Sequence, residues 1–356
     1  MQMWFKGKRI SSMLGIVPEN EYLFDDEVGN YDFPEKQTMR LKKVMGYNKH
    51  RISKPDSAAS DFALFGMEHM LKNNWIGKEE IGAIIVVTLC PDHFVPHISN
   101  IVHGKLGLDN DVLCIDIPQG CCGFLVGLSQ AFMLLEHMKD KKVVVINTDI
   151  LSHKVSKKDR NDFPLIGDGA AVTVVENSND DREIYYEMHM DGSRGDALII
   201  PAGGFRMPST AQTAVMENTG DGNYRSLDNM HMDGSAVFNF VQVEVPPLLE
   251  NTFRSCGITV DDIDWFLFHQ PNKFMLQKLA EKSGIPFEKM PMNLVENFGN
   301  PSGSSIPLVT VSNIADKLIE NEYKCCFSAF GSGLAWGSMV TDLGKLSHCE
   351  LIVSDL

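Results

Sequence analysis

The sequence predicts an α/β fold with a largely parallel sheet. Short apolar runs recur along the chain, helical stretches separate them, and Gly- and Pro-rich turns mark several of the junctions. The run at 81–89 (I-G-A-I-I-V-V-T-L) is apolar without alternation, as a strand covered on both faces requires. The runs at 112–117, 142–147 (K-V-V-V-I-N), 170–176 (A-A-V-T-V-V-E), 265–268 and 325–330 read the same way. Helices are expected between them at 57–73, 98–106, 124–138, 238–256, 273–283 and 307–320. The 124–138 segment has hardly any polar face, which predicts a helix covered on every side in the middle of the molecule. Residues 201–227, rich in Gly, Ser, Thr and Asn, read as a long loop, and M-H-M-D-G-S occurs twice, at 188–193 and 230–235, as two related turns or a coincidence.

The 356 residues suffice for one large domain or two ordinary ones, and 44% hydrophobic against 22% charged composition predicts a folded globular chain. No apolar run is long enough to span a bilayer, and the N-terminus has no signal-peptide pattern, so a cytoplasmic protein is expected. Eight cysteines without C-x-x-C spacing suggest neither a disulfide scaffold nor a metal site. A net charge of −15 argues against general nucleic-acid binding. Against that acidic background, residues 40–54 carry six Lys/Arg and no carboxylate, and Lys154, Lys157, Lys158 and Arg160 form a second basic cluster. Each is either a solvated surface or a landing site for a phosphate-bearing or acidic partner.

Chemistry concentrates at L-C-I-D-I-P-Q-G-C-C-G-F, 113–124, where a strand and a turn lead to two cysteines at the start of the apolar helix. Unpaired helix N–H groups favour an anion there, which predicts a lowered thiol pKa, and the corner would lift the side chain into a cleft. Position alone does not choose between Cys121 and Cys122. Cys90, Cys114, Cys256, Cys325, Cys326 and Cys349 read as small hydrophobes. His269 lies at the end of an apolar strand in F-L-F-H-Q-P-N, where open α/β sheets bind ligands. Asn300 lies in the loop N-F-G-N-P-S-G-S-S-I-P, and A-F-G-S-G-L-A-W-G at 329–337 is a Gly-rich turn of the kind that lets backbone N–H groups approach a ligand. It is not a dinucleotide fingerprint. Papain-like proteases also run Cys, His, Asn, but their C-G-S-C-W is missing.

Taken in order, these blocks resemble the 3-oxoacyl-acyl-carrier-protein synthase III family of the thiolase superfamily over nearly the whole chain. I-S-S-M-L-G-I-V-P-E-N resembles its opening strand, M-G-Y-N-K-H-R its T-G-I-x-x-R-R, and D-I-P-Q-G-C-C-G-F its D-x-x-x-A-C-x-G-F. L-I-G-D-G-A-A-V-T-V-V-E, F-H-Q-P-N, F-G-N-P-S-G-S-S-I-P and F-G-S-G-L-A-W-G follow in the family's order. The resemblance implies a thiolase-like five-layer α-β-α-β-α fold from two similar halves, 1–178 carrying the nucleophilic cysteine and 179–356 carrying His and Asn. It also implies a homodimer.

The register of x-G-F implies that Cys121 is the nucleophile, with Cys122 in the place of a small packing residue. His269 and Asn300 match the family's catalytic His and Asn. The implied oxyanion hole is the backbone N–H of Cys121 and one from the Gly331-Ser332-Gly333 turn, with Ser332 the expected donor. The implied reaction is decarboxylative condensation of an acyl thioester with a malonyl thioester. Coenzyme A or phosphopantetheine thioesters would be the substrates and acyl carrier protein the partner, with no tightly bound cofactor. An acyltransferase of the same fold, passing the acyl group to an oxygen or nitrogen nucleophile, is the alternative. A partner subunit without activity would typically lack the nucleophile. Arg160 and Asn272 are expected at the nucleotide and pantetheine, and Lys273, Arg40, Lys42 and Lys43 at the docked carrier. The positions where the family often has Trp and Arg hold Arg40 and Val44, and Met45 replaces the Thr. Val95 stands in F-V-P where the family often has a Phe reaching into the partner's acyl pocket, which implies room for a longer or branched chain. P-Q-G before the cysteine hints at a specialised pathway.

Overall fold

The structure is a computed structural model that describes residues 1–220 and 222–356. Its main strands are β1 (Gln2–Lys6), β2 (Lys8–Pro18), β3 (Ile81–Val87), β4 (Leu113–Ile117), β5 (Lys142–Asp149), β6 (Gly169–Asn177), β7 (Glu183–Met190), β8 (Trp265–Phe268), β9 (Glu322–Gly331), β10 (Ala335–Gly344) and β11 (His348–Ser354). Its main helices are α1 (Glu35–Met45), α2 (Ala59–Lys72), α3 (Ile98–Leu106), α4 (Gly123–Leu135), α5 (Gly234–Cys256), α6 (Lys273–Ser283), α7 (Leu294–Phe298) and α8 (Ser305–Glu320).

The strands form a six-stranded sheet, β11-β2-β6-β5-β3-β4, and a five-stranded sheet, β1-β7-β10-β9-β8. The first and last strands cross over. β1 pairs with β7 in the five-stranded sheet, and β11 pairs with β2 in the six-stranded one. The expectation of a largely parallel sheet is corrected. The pairs β11–β2, β5–β3, β3–β4 and β8–β9 are parallel, while β2–β6, β6–β5, β1–β7, β7–β10 and β10–β9 are antiparallel. The sequence reading missed the physical reason. β9 and β10 are joined by a turn too short for a crossover helix, so they must pair as a hairpin.

Helices α2 and α3 cover one face of the six-stranded sheet, and α5 covers one face of the five-stranded sheet, with α6 packed on it. Helices α4 and α8 lie between the sheets, completing five layers. This explains why α4 has no polar face. Phe124, Leu125, Leu128 and Phe132 are all buried in the central core, which also takes Leu267, Phe327 and Met339 from the second sheet. A fully buried side chain of this size contributes roughly 1.5–3 kcal/mol. The repeated M-H-M-D-G-S motif marks two related turns. Asp191 accepts a hydrogen bond from the Ser193 N–H and Asp233 from the Ala236 N–H, each starting a helical turn. The 201–227 stretch is largely irregular, apart from short pairings such as Glu217–Asn218 with Tyr224–Arg225.

Candidate active site

Parallel strands end on one side, and that is where the site forms. β4 leads through Pro118-Gln119-Gly120 into Cys121, immediately before α4. β8 runs into His269, whose N–H still donates to the Ser328 carbonyl and keeps it in register with β9. Helix α7 ends at Gly299, where φ is +82°, and the chain then pairs Asn300 with Ile166 in an isolated parallel bridge. The Asn300 N–H donates to the Leu165 carbonyl and the Gly167 N–H to the Asn300 carbonyl. Gly299 is obligatory, because a Cβ there would sit 2.6 Å from the Gly167 nitrogen.

Cys121, His269, Asn300 and Gly331 all line one cavity of about 760 Å³. The two adjacent cysteines part company here. Cys121 borders the cavity, whereas Cys122 is fully buried with its thiol against the Ala335 carbonyl at 3.4 Å. The side chain of His269 is buried, and its Nδ1 lies 2.6 Å from the Ser305 hydroxyl. Burial pushes the imidazole down to about 3, with a backbone hydrogen bond of Ser302 acting in the opposite direction. The ring is therefore neutral at physiological pH. Asn300 Oδ1 accepts from the Ser302 N–H at 3.0 Å, which leaves its Nδ2 as the free donor at the cavity wall.

The expected lowering of the Cys121 pKa is corrected. Burial dominates and raises it, reinforced by the Asp149 carboxylate. Opposing this are the backbone N–H groups of Ser332 and of Cys121 itself, together with the Ser302 hydroxyl. Both backbone donors expected for an oxyanion hole thus converge on the sulfur. Gly331 makes the approach feasible, since a Cβ there would stand 2.4 Å from the Cys121 Sγ.

The other expected residues are distributed unevenly. Asn272 lines the cavity and caps α6, its side chain accepting from the Met275 N–H at 2.8 Å. Arg160 does not line the cavity; its neighbours Asn161 and Asp162 do, and its guanidinium stacks 3.7 Å above the Phe33 ring. Lys273 pairs with Glu296 at 3.2 Å and Lys42 with Asp25 at 2.7 Å, while Arg40 and Lys43 are exposed on α1. Leu41, Val44 and Met45 of the same helix form part of the cavity wall. Val95 is 77% exposed and does not border the cavity of its own chain.

Sequence reasoning missed Asp149, Ser302 and Ser305. Asp149 ends the strand K-V-V-V-I-N-T-D at a buried position, and a carboxylate at the end of that apolar-centred strand was the available signal. Burial raises it to about 6, against hydrogen bonds from the Leu89 and Gly303 N–H groups and the Ser302 and Thr88 hydroxyls. Among the described residues no group of His, Cys, Asp and Glu is arranged to hold a metal ion, and no helix is long and apolar enough to cross a membrane.

Comparison with known proteins bears on this geometry. Residues 115–192 match the family described as 3-oxoacyl-[acyl-carrier-protein (ACP)] synthase III, and residues 253–343 match its C-terminal part. A beta-ketoacyl-[acyl-carrier-protein] synthase III of Streptococcus gordonii is 31% identical over 340 residues, covering 95% of this chain and 100% of the other. One from Natranaerobius thermophilus is 33% identical over 297 residues, covering 82% and 87%. The crystal structure of a 3-oxoacyl-(acyl-carrier protein) synthase from Burkholderia xenovorans superposes with a TM-score of 0.92 at 30% identity, covering 99% of each chain.

Proposed function

The chain belongs to the 3-oxoacyl-[acyl-carrier-protein] synthase III family, and we propose on that premise a mechanism for its condensing reaction. The enzyme is a transferase that joins an acyl thioester to a malonyl thioester with loss of CO2, giving a 3-oxoacyl product. The observation that carries the mechanism is the convergence of Cys121, His269 and Asn300 on one cavity, with the backbone donors of Cys121 and Ser332 aimed at the thiol.

Cys121 attacks the donor carbonyl, and the N–H groups of Cys121 and Ser332 hold the oxyanion. The donor thiol leaves and a malonyl thioester takes its place. His269 Nδ1 and the Ser305 hydroxyl lie 2.6 Å apart; with the hydroxyl as donor, the ring proton sits on Nε2 and faces the malonyl thioester carbonyl beside the Asn300 amide. Loss of CO2 then leaves an enolate that these two neutral donors stabilise, and it attacks the acyl-enzyme. No strong base is required, because decarboxylation itself generates the carbanion. Residues 1–178 supply the nucleophile and residues 179–356 the enolate donors.

The donors are coenzyme A or phosphopantetheine thioesters, and malonyl-acyl carrier protein is the extender. Asn272 contacts the pantetheine, and Arg160 the nucleotide when coenzyme A is bound. Carrier protein docks beside the cavity on Arg40 and Lys43. Lys42 and Lys273 contribute by exchanging exposed ion pairs, which cost little to break. The working enzyme is a cytoplasmic homodimer, in which Val95 of each protomer reaches the other's acyl pocket. The test is peptide mass spectrometry with acetyl to long-chain acyl thioesters. A Cys121 adduct that disappears with CO2 release on adding malonyl carrier protein is the expected result. An adduct indifferent to malonyl thioesters would instead indicate acyl transfer to an oxygen or nitrogen nucleophile.

A further inference from the structure

The Asn300 amide is useful to an enolate only if it is held at the cavity wall, and its backbone hangs on one short segment. The Asn300 N–H donates to the Leu165 carbonyl at 2.8 Å, and the Asn300 carbonyl accepts from the Gly167 N–H at 3.2 Å. The place of Asn300 is therefore set by residues 165–167. Ile166, its partner in the bridge, spends its own N–H on the Asp162 and Phe163 carbonyls of the preceding turn. The Ile166 carbonyl points away from Asn300, and His50 Nδ1 lies 2.6 Å from it. A carbonyl only accepts, so Nδ1 carries a proton and donates. Nε2 of the same ring lies 2.9 Å from Glu27 Oε1. A flipped ring would put a carbon against each oxygen, so Glu27 fixes the orientation that aims Nδ1 at Ile166. Phe163 packs edge-on against the ring, with centroids 5.3 Å apart.

We propose that His50, oriented by Glu27, is a positioning residue for condensation, setting the Asn300 amide in the cavity through the Ile166 carbonyl. This deepens the condensing mechanism above and rests on Asn300 being one of its enolate donors. His50 and Glu27 are both buried, and neither borders the cavity, so neither touches substrate. Among the described residues Glu27 Oε2 has no hydrogen-bond partner, so the imidazole is what this carboxylate is buried to hold. Desolvating such a pair costs stability that an apolar pair would keep, so stability alone does not account for it. His50 stands in a short strand, Lys49–Arg51, paired antiparallel with Glu21–Leu23, and Glu27 ends the helical turn that follows Leu23. That strand grips both sides of the bridge. On one side it packs against α7, which leads into Asn300, and the Arg51 guanidinium lies 5.7 Å from the Phe298 ring centroid. On the other, the Arg51 carbonyl accepts from the Asp168 N–H at 2.8 Å, beside the His50 bond to Ile166.

Two amide variants separate the ring nitrogens. His50→Asn puts an N–H near the place of Nδ1 and keeps the bond to Ile166. His50→Gln puts its amide near the place of Nε2, keeps a bond to Glu27 and loses Ile166. His50→Gln should slow CO2 release from malonyl carrier protein by about ten- to a hundredfold, the usual cost of a small misplacement, and leave Cys121 acylation within about twofold. His50→Asn should run close to wild type in both. In an Asn300→Ala background, His50→Gln should change CO2 release by less than about twofold, because the group it positions is gone. Equal losses in the two amide variants, parallel loss of both half-reactions, or the same effect of His50→Gln with and without Asn300 would each overturn the proposal. If His50→Asn does not fold with Glu27 left unpaired, the cycle with Asn300→Ala decides alone. Hydrogen–deuterium exchange of the peptides over 163–168 and 298–302 needs no substrate. His50→Gln should exchange faster there than wild type, and unchanged exchange would also overturn the proposal. A wild type that releases no CO2 while the variants show this exchange pattern would count against the condensing mechanism and not against the positioning of Asn300.

Discussion

His269 and Asn300 each present a neutral donor because of what holds their other polar atom. Ser305 engages Nδ1 of the one, and the Ser302 N–H engages Oδ1 of the other. Replacing either by alanine should lower malonyl decarboxylation by about 10²–10³-fold, as loss of one oxyanion donor does, while Cys121 still forms its acyl adduct. Because the imidazole is held down near 3, decarboxylation should show no acidic limb near 6.5 from this ring. The sign for stability follows from the same shift. Below about pH 6.5 the unfolded chain binds a proton on His269 that the folded chain rejects, so this group destabilises the fold progressively in acid. The denaturant midpoint of wild type should therefore fall relative to that of His269→Gln as the pH is lowered from 7 to 4. Gly331→Ala would place a methyl group 2.4 Å from Sγ. Acylation should be abolished, with destabilisation of about 1–3 kcal/mol in chemical unfolding, the usual penalty of overpacking.

Helix α4 is the element on which the site depends most, since Cys121 immediately precedes it and it packs on both sheets. Its apolar circumference was readable from the sequence, and the all-round burial of its middle follows directly from it. Leu128, with no exposed surface, is the sharpest probe. Leu128→Ala should cost about 2–5 kcal/mol by denaturant titration, because the rigid sheets on either side cannot collapse into the cavity. Helix α1 behaves differently. The sequence showed it as a basic run, but its apolar residues Leu41, Val44 and Met45 face the cavity and Lys42 is tied to Asp25. A charge count along the chain cannot distinguish a paired surface lysine from a free one, because the partner is distant in sequence.

For the molecule as a whole, Val95 and the Phe94 and Phe205 rings, whose centroids lie 4.8 Å apart, are exposed apolar groups of the kind a partner surface covers. Sedimentation should give a species of twice 39.7 kDa. If Val95 limits acyl length in the partner, Val95→Phe should reduce Cys121 acylation by long-chain donors at least about tenfold, about 1.4 kcal/mol of steric exclusion, and leave acetyl donors unaffected. Adduct yields across the donor series would decide this.

Periodicity and composition were enough for the α/β class, the buried central helix and most of the strands covered on both faces, because burial on two sides leaves a continuous apolar run in the chain; the 112–117 run is the exception, since β4 is an edge strand with Leu113 exposed. Ordered motifs were enough to nominate Cys121, His269 and Asn300, although only Cys121 and His269 follow strands and Asn300 follows helix α7. The mixed strand order and the exchange of β1 and β11 between sheets needed the tertiary structure, because pairing direction is decided by connection geometry and long-range partners. So did the direction of the Cys121 shift. A helix N-terminus is visible in sequence, but the burial that outweighs it and the Asp149 charge that adds to that effect come only with folding.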